Sequence, residues 1–221
     1  MEAYLGISTD KLLTAGAETI YMVCISLFIG AIIAFPLAIL LYLTRKNGMY
    51  QNRFVNGLLN IIINVIRSTP FIIMLVCVMP LTKVLVGTRI GTKAALVPLT
   101  IYIAPYLARL MEGALLETKA GIIEAAEAMG ATPLQIVWHF ILPDSLGSLI
   151  LTITTGTIGL IGATAMAGYI GGGGIGNIAL TYGYQQFNNR LMFFTVLILI
   201  IVVQLIQNLG TWASAKIRRA R

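Results

Sequence analysis

The sequence predicts an all-α membrane protein with five spans, on three observations. Hydrophobic residues make up 58% of the chain and charged residues only 10%, against about 25% charged in ordinary globular proteins. Long apolar runs recur at 20–43, 58–81, 94–116, 146–170 and 191–212, and about 20 residues at 1.5 Å rise cross the hydrocarbon core. The Lys and Arg residues between these runs fall unequally on the two sides.

That inequality sets the orientation, because basic residues are retained on the cytoplasmic side. With five spans the termini lie on opposite sides. One side receives Arg45, Lys46, Arg53, Lys119, Lys216, Arg218, Arg219 and Arg221, and the other receives Lys11, Lys83, Arg89, Lys93 and Arg190. The first side is expected to be cytoplasmic. Residues 1–13 then form an external N-terminal segment, 14–212 the membrane domain, and 213–221 a basic cytoplasmic tail. No basic n-region or small-residue cleavage site precedes the first run, so it reads as an uncleaved span.

The second and third runs are interrupted. Asn60, Asn64 and Arg67 precede Ser68, Thr69 and Pro70. Proline removes a donor and disfavours helix at the residue before it. An interfacial or kinked piece is expected before Pro70, with the firmer span after it. An unpaired arginine at mid-bilayer is costly, so Arg67 is placed near the cytoplasmic end or against a partner. In the third run Arg109 and Glu112 stand three apart and can share a helix face.

Between the third and fourth runs lies a polar island, 117–145. Residues 121–129 hold reasonable to good helix formers, chiefly Ala, Glu, Ile and Met, and Gly130 is placed to end that helix in a left-handed cap. Thr132, Pro133 and Gln135 have the spacing of an N-cap, a first-turn proline and a capping box. The second helix carries an apolar face at Ile136, Val137, Phe140 and Ile141. Pro143 is expected to stop it, with Asp144 or Ser145 capping the next span. Such a hairpin either lies on the membrane or presents its alanine face to a partner.

The net charge of +7 is read as positive-inside bias plus attraction to anionic lipid, and not as a nucleic-acid footprint. His139 is the only histidine, so a multi-histidine metal site within one chain is excluded, and no metal is expected. Cys24 and Cys77 fall inside apolar runs without CxxC spacing. A membrane enzyme would need a nucleophile–base pair or a metal cluster, and no such constellation stands out. A secondary transporter would be expected to use ionisable groups within its spans, and runs one, four and five contain essentially none.

The island matches the loop by which permeases of ATP-binding-cassette importers dock on their ATPase. That pattern is E-A-A, three residues, G, nine residues, then I-x-L-P. Glu124, Ala125, Ala126, Gly130, Leu142 and Pro143 match in spacing, with Phe140 at the isoleucine position. The stretches 67–73, 97–100, 114–117 and 129–133, the glycine run 171–176 and Tyr182-Gly183-Tyr184 resemble the methionine-uptake (MetI-type) permeases. The likeness runs from about residue 14 to 212.

The resemblance implies a type I ABC importer permease fold and a homodimer in the bacterial inner membrane. Two ATPase subunits would sit on the cytoplasmic side and an external substrate-binding lipoprotein would deliver the substrate. ATP and Mg would be held by the partner ATPase, with no cofactor in this chain. No G-x-x-x-x-G-K-[ST] loop is present, which agrees. The glycine run lacks the Lys and Ser/Thr of a phosphate loop and is expected to be a flexible turn after span four. The cargo implied is methionine, L- and D-, with another amino acid or small solute as the alternative. Two copies of span four could line the path with Thr152, Thr155 and Thr164. Paired Met166 side chains could close it, because the unbranched thioether repacks easily; small neighbours equally permit tight helix packing. Arg67, Ser68 and Pro70 are assigned to structure and assembly.

Overall fold

A computed structural model describes residues 6–219, and those residues are helical almost throughout. Four uninterrupted helical stretches are long and apolar enough to cross a membrane, and a fifth crossing is available from one bent pair.

Helix α1 spans Thr9–Thr44, with Ser8 as N-cap accepting from the Lys11 N–H at 3.4 Å and Asp10 in its first turn. It starts well before the first apolar run, so residues 9–13 of the N-terminal segment are already helix. Hydropathy locates the part of a helix that fits lipid, whereas capping locates its end. A tight loop follows, closed by Tyr50 N–H to Leu43 O and Asn52 N–H to Thr44 O, both 3.1 Å. Asn52 then caps α2 (Arg53–Ser68) by accepting from the Phe54 and Val55 N–H groups.

Helix α2 has its polarity turned inside out. Phe54, Leu58, Ile61 and Val65 are exposed. The other face meets protein: Asn56 Nδ2 donates to Leu41 O and Thr44 Oγ1, both at 3.2 Å, and Asn60 Nδ2 donates to Asn56 Oδ1 at 2.9 Å. Arg109 Nη2 donates to Asn60 Oδ1. In lipid the apolar surface belongs outside and hydrogen bonds between helices act as glue. At Thr69–Pro70 the chain turns by 104° into α3 (Phe71–Cys77), and α4 (Met79–Val86) follows, ending at Gly87 in the left-handed region. The break at Pro70 is therefore sharp. The part after it is two short helices rather than the firmer span expected, because Pro80 falls in the first turn of a new helix.

Helix α5 (Thr92–Leu116) packs along α1 over the most extensive helix contact in the molecule. Its Leu99, Ile103 and Leu107 are fully buried. Close approach rests on small residues: a Cβ at Gly30 would lie 2.3 Å from Ile103 Cγ2. The polar island forms α6 (Ala120–Ala128) and α7 (Pro133–Ile136). A π turn at Val137–Ile141 leads straight into α8 (Leu142–Ala167), so residues 133–170 form one helical path. Pro143 does not stop the helix. The Leu142 N–H bonds five residues back to Val137 O, and Pro143, within the first turn of α8, needs no donor. The π turn absorbs the missing bond.

After a short 3₁₀ turn (Gly168–Ile170), α9 (Gly174–Ile178) runs directly into a second π turn (Ala179–Tyr184). Helix α10 (Asn189–Arg219) returns along α8. It stays helical through the stretch assigned to a tail, and a Cβ at its Gly210 would sit 2.1 Å from Thr154 Oγ1.

Candidate functional site

Two features stand out: the hairpin α6–α7 at one end, and the exposed face of α8 that runs away from it. The hairpin is fixed locally. Gly130 has φ +80°, its N–H bonds Glu127 O at 2.9 Å, and the Ala131 N–H bonds Ala126 O at 3.1 Å. This is the 5→2 and 6→1 pair of a Schellman cap. Gln135 Oε1 accepts from the Thr132 N–H at 2.8 Å, the back-reaching half of the capping box.

The motif residues divide by direction. Ala126 is fully buried with Ile136 and Val137 in the main core, and Leu142 is buried behind them. Glu124, Ala125, Glu127 and Gly130 face outward, and Pro143 is half-buried. Met129, Leu134 and Trp138 add exposed apolar area to the outward side, at 69%, 55% and 55% exposure. The hairpin thus presents acidic and apolar groups on a body anchored by one alanine. Trp138 carries no motif signal in the sequence.

On α8 the four candidate pathway residues separate. Met166 and Thr155 are exposed, Met166 by 46%. Thr152 and Thr164 are buried, and Thr164 Oγ1 donates to Ile161 O at 2.7 Å. Thr155 Oγ1 donates to Leu151 O at 2.9 Å, which leaves its lone pairs outward. Gly162, between Thr155 and Met166, has open space where a side chain would be.

The second-run residues also separate. The Arg67 side chain is exposed, with its guanidinium 5.9 Å from the Tyr106 ring centre. Ser68 Oγ donates to Asn64 O at 2.7 Å, and Pro70 marks the bend. Arg109 and Glu112 share a helix face as expected, paired at 2.6 Å and tied to α2 through Asn60.

Two contacts are not visible in the sequence. At the end beyond α8, Glu18 Oε2 accepts from the Gly174 N–H at 2.8 Å, and Thr19 Oγ1 accepts from the Ile175 N–H at 2.9 Å. A Cβ at Gly173 would fall 2.2 Å from Glu18 Oε2. The glycine run is therefore a clamped turn and not a loose one, and α1 carries an ionisable group that the run 20–43 omits. Beside the start of α8, Arg218 reaches over Gly147 to Ser148, and Glu117 accepts from the Ser148 hydroxyl. These pairs are 31 to 156 residues apart in sequence, and no local spacing signals them.

A bent second helix pair, a polar helix hairpin and four long apolar helices among the described residues fit a membrane permease component. Residues 34–219 match the model of the binding-protein-dependent transport system inner membrane component family, and the chain belongs to that family. It is 43% identical over 98% of its length to the probable D-methionine transport system permease protein MetI of Vibrio cholerae serotype O1, covering 95% of that protein. It is 43% identical to the methionine import system permease protein MetP of Bacillus subtilis, with 92% of each chain covered. A solved structure of inward-facing conformations of the MetNI methionine ABC transporter superposes with a TM-score of 0.92 at 42% identity, covering 96% of this chain and 99% of that one. The chain has the type I ABC permease fold and is a non-catalytic transmembrane subunit.

Proposed function

We propose that this chain is the permease of a methionine importer, acting as a homodimer in the cytoplasmic membrane with two ATPase subunits below and a binding lipoprotein outside. The observation that carries the reading is the near-complete overlap, in sequence and in backbone, with methionine permeases from distant bacteria. ATP and Mg belong to the ATPase subunits. The N-terminus is external and the C-terminus cytoplasmic. The outward surface of Glu124, Ala125 and Gly130 seats in the ATPase, while buried Ala126, Leu142 and half-buried Pro143 tie that surface to α8. Nucleotide-driven movement then enters α8 directly, because no break intervenes between 133 and 170. Met166 forms the closure where two copies of α8 meet, with Thr155 further along the path. Arg67, Ser68 and Pro70 hold the bend of span two for assembly. Residue chemistry along α8 is permissive, so selectivity for the thioether and its stereochemistry resides in the lipoprotein.

The test is uptake of labelled L- and D-methionine by cells with and without this subunit, the ATPase and lipoprotein being present throughout. Loss of both uptakes on deletion, restored by the gene in trans, is the expected result. Unchanged methionine uptake, with loss of another amino acid's, would reassign the cargo.

A further inference from the structure

The inner end of the molecule holds a cleft of about 370 Å³, walled by α5, α8 and the C-terminal turn of α10. That lies at the small end of the range for small-molecule sites, about 300–1,000 Å³. Arg109, Glu117, Ser148 and Arg218 give its lining a polar side, and Leu110 and Leu151 an apolar one. Arg218 Nη2 donates to Ser148 Oγ at 2.9 Å, and Ser148 Oγ donates to Glu117 Oε2. Arg218 Nη2 and Glu117 Oε2 themselves stand 3.9 Å apart, outside direct hydrogen-bond reach. The two charges face each other across the rim as a loose ion pair bridged by the Ser148 hydroxyl.

The charge balance selects the class of ligand. Arg109 is offset by Glu112 at 2.6 Å, and Arg218 by Glu117. A lone anion or cation would unbalance the rim, whereas a group bearing both charges would not. A guanidinium has five donors. Arg109 places one each on Glu112 and Asn60, so donors on its fork stay unused. Glu117 has a second carboxylate oxygen beyond the one that accepts from Ser148.

We propose that this cleft binds the head group of a free α-amino acid. The carboxylate lies on the Arg218 and Arg109 donors, the ammonium lies on Glu117, and the side chain rests over Leu110 and Leu151. The proposal builds on the importer reading: the cleft also contains Thr155, on the exposed face of α8 that Met166 shares. A transported amino acid would meet it on leaving the membrane. The rim side chains Glu117 and Arg218 are 63% and 57% exposed, so solvent screening keeps the site weak. A transit site must be weak, since a tight one would retain what it passes on.

The test is equilibrium binding of labelled L-methionine to the full chain, assembled with its ATPase in lipid nanodiscs and without the lipoprotein. Competition is measured with norleucine, N-acetylmethionine (no ammonium) and methionine amide (no carboxylate). Weak, displaceable binding is expected, with norleucine competing about as well as methionine. Both single-charge analogues should compete at least tenfold less well. Glu117→Gln and Arg218→Gln should each weaken binding about tenfold or more, while Lys83→Gln, which removes a charge at the far end, should not. Absence of displaceable binding would overturn the proposal, as would equal competition by N-acetylmethionine or unchanged binding in both rim variants. Failure of the methionine reading looks different: cells would import another amino acid while the cleft still bound norleucine and methionine alike.

Discussion

At Gly130 the constraint is the backbone alone. Its φ is +80° and a Cβ there would meet nothing within 4 Å. Gly130→Ala should therefore cost about 1 kcal/mol of local strain and leave the permease assembled. Gly130→Arg adds bulk to the outward surface and should abolish co-purification of the ATPase while the permease still inserts and dimerises. Normal uptake by the arginine variant would place the hairpin outside the interface. At Gly173 two constraints coincide, a φ of +75° and the Glu18 carboxylate 2.2 Å from any Cβ. Gly173→Ala should lower the thermal unfolding midpoint of the purified chain. Adding Glu18→Ala should recover part of the loss, because neighbours in contact are not additive. Strict additivity in that cycle would mean that the clash is not what the glycine avoids.

Among the elements, those whose signals are local were readable from sequence. The apolar runs of α5 and α8 are continuous in sequence, and the Gly130 cap, the Thr132–Gln135 box and the Pro70 break each rest on residues within five positions of one another. Three others were not. The start of α1 is set by the Ser8 cap and not by hydropathy. Pro143 looks like a terminator unless one knows that a π turn precedes it. The Glu18 clamp joins residues 156 apart. Burial likewise divides the α8 threonines in a way that composition cannot. Of the four residues on that helix, Met166 is the one with a large, exposed, deformable side chain. Met166→Ala should raise substrate leak in the absence of ATP in proteoliposomes, with the amount of assembled complex unchanged. Less complex with no leak would make Met166 a packing residue.

Across the whole molecule, Arg218 and Lys11, from the two sets of basic residues, make contacts far apart along the helices. Arg218 meets Glu117 and Ser148 at one end, and Lys11 meets Tyr182 at 2.6 Å at the other. A cysteine at Thr88 should react with an impermeant reagent in intact cells and one at Lys119 should not; the reverse pattern would invert the topology and remove the docking role. The unbroken path from 133 to 170 has a mechanical consequence. Thirty-eight residues at 1.5 Å each make a strut of about 57 Å, nearly twice the hydrocarbon thickness. One end carries the α6–α7 hairpin and the other abuts the clamped glycines. Its π turn and closing 3₁₀ turn are irregularities in the ladder and not breaks in it, so a push at one end is answered chiefly by tilting. Small displacements at the hairpin end would then reappear, reversed in direction about whatever pivot the neighbouring helices provide, at the end beside the glycines.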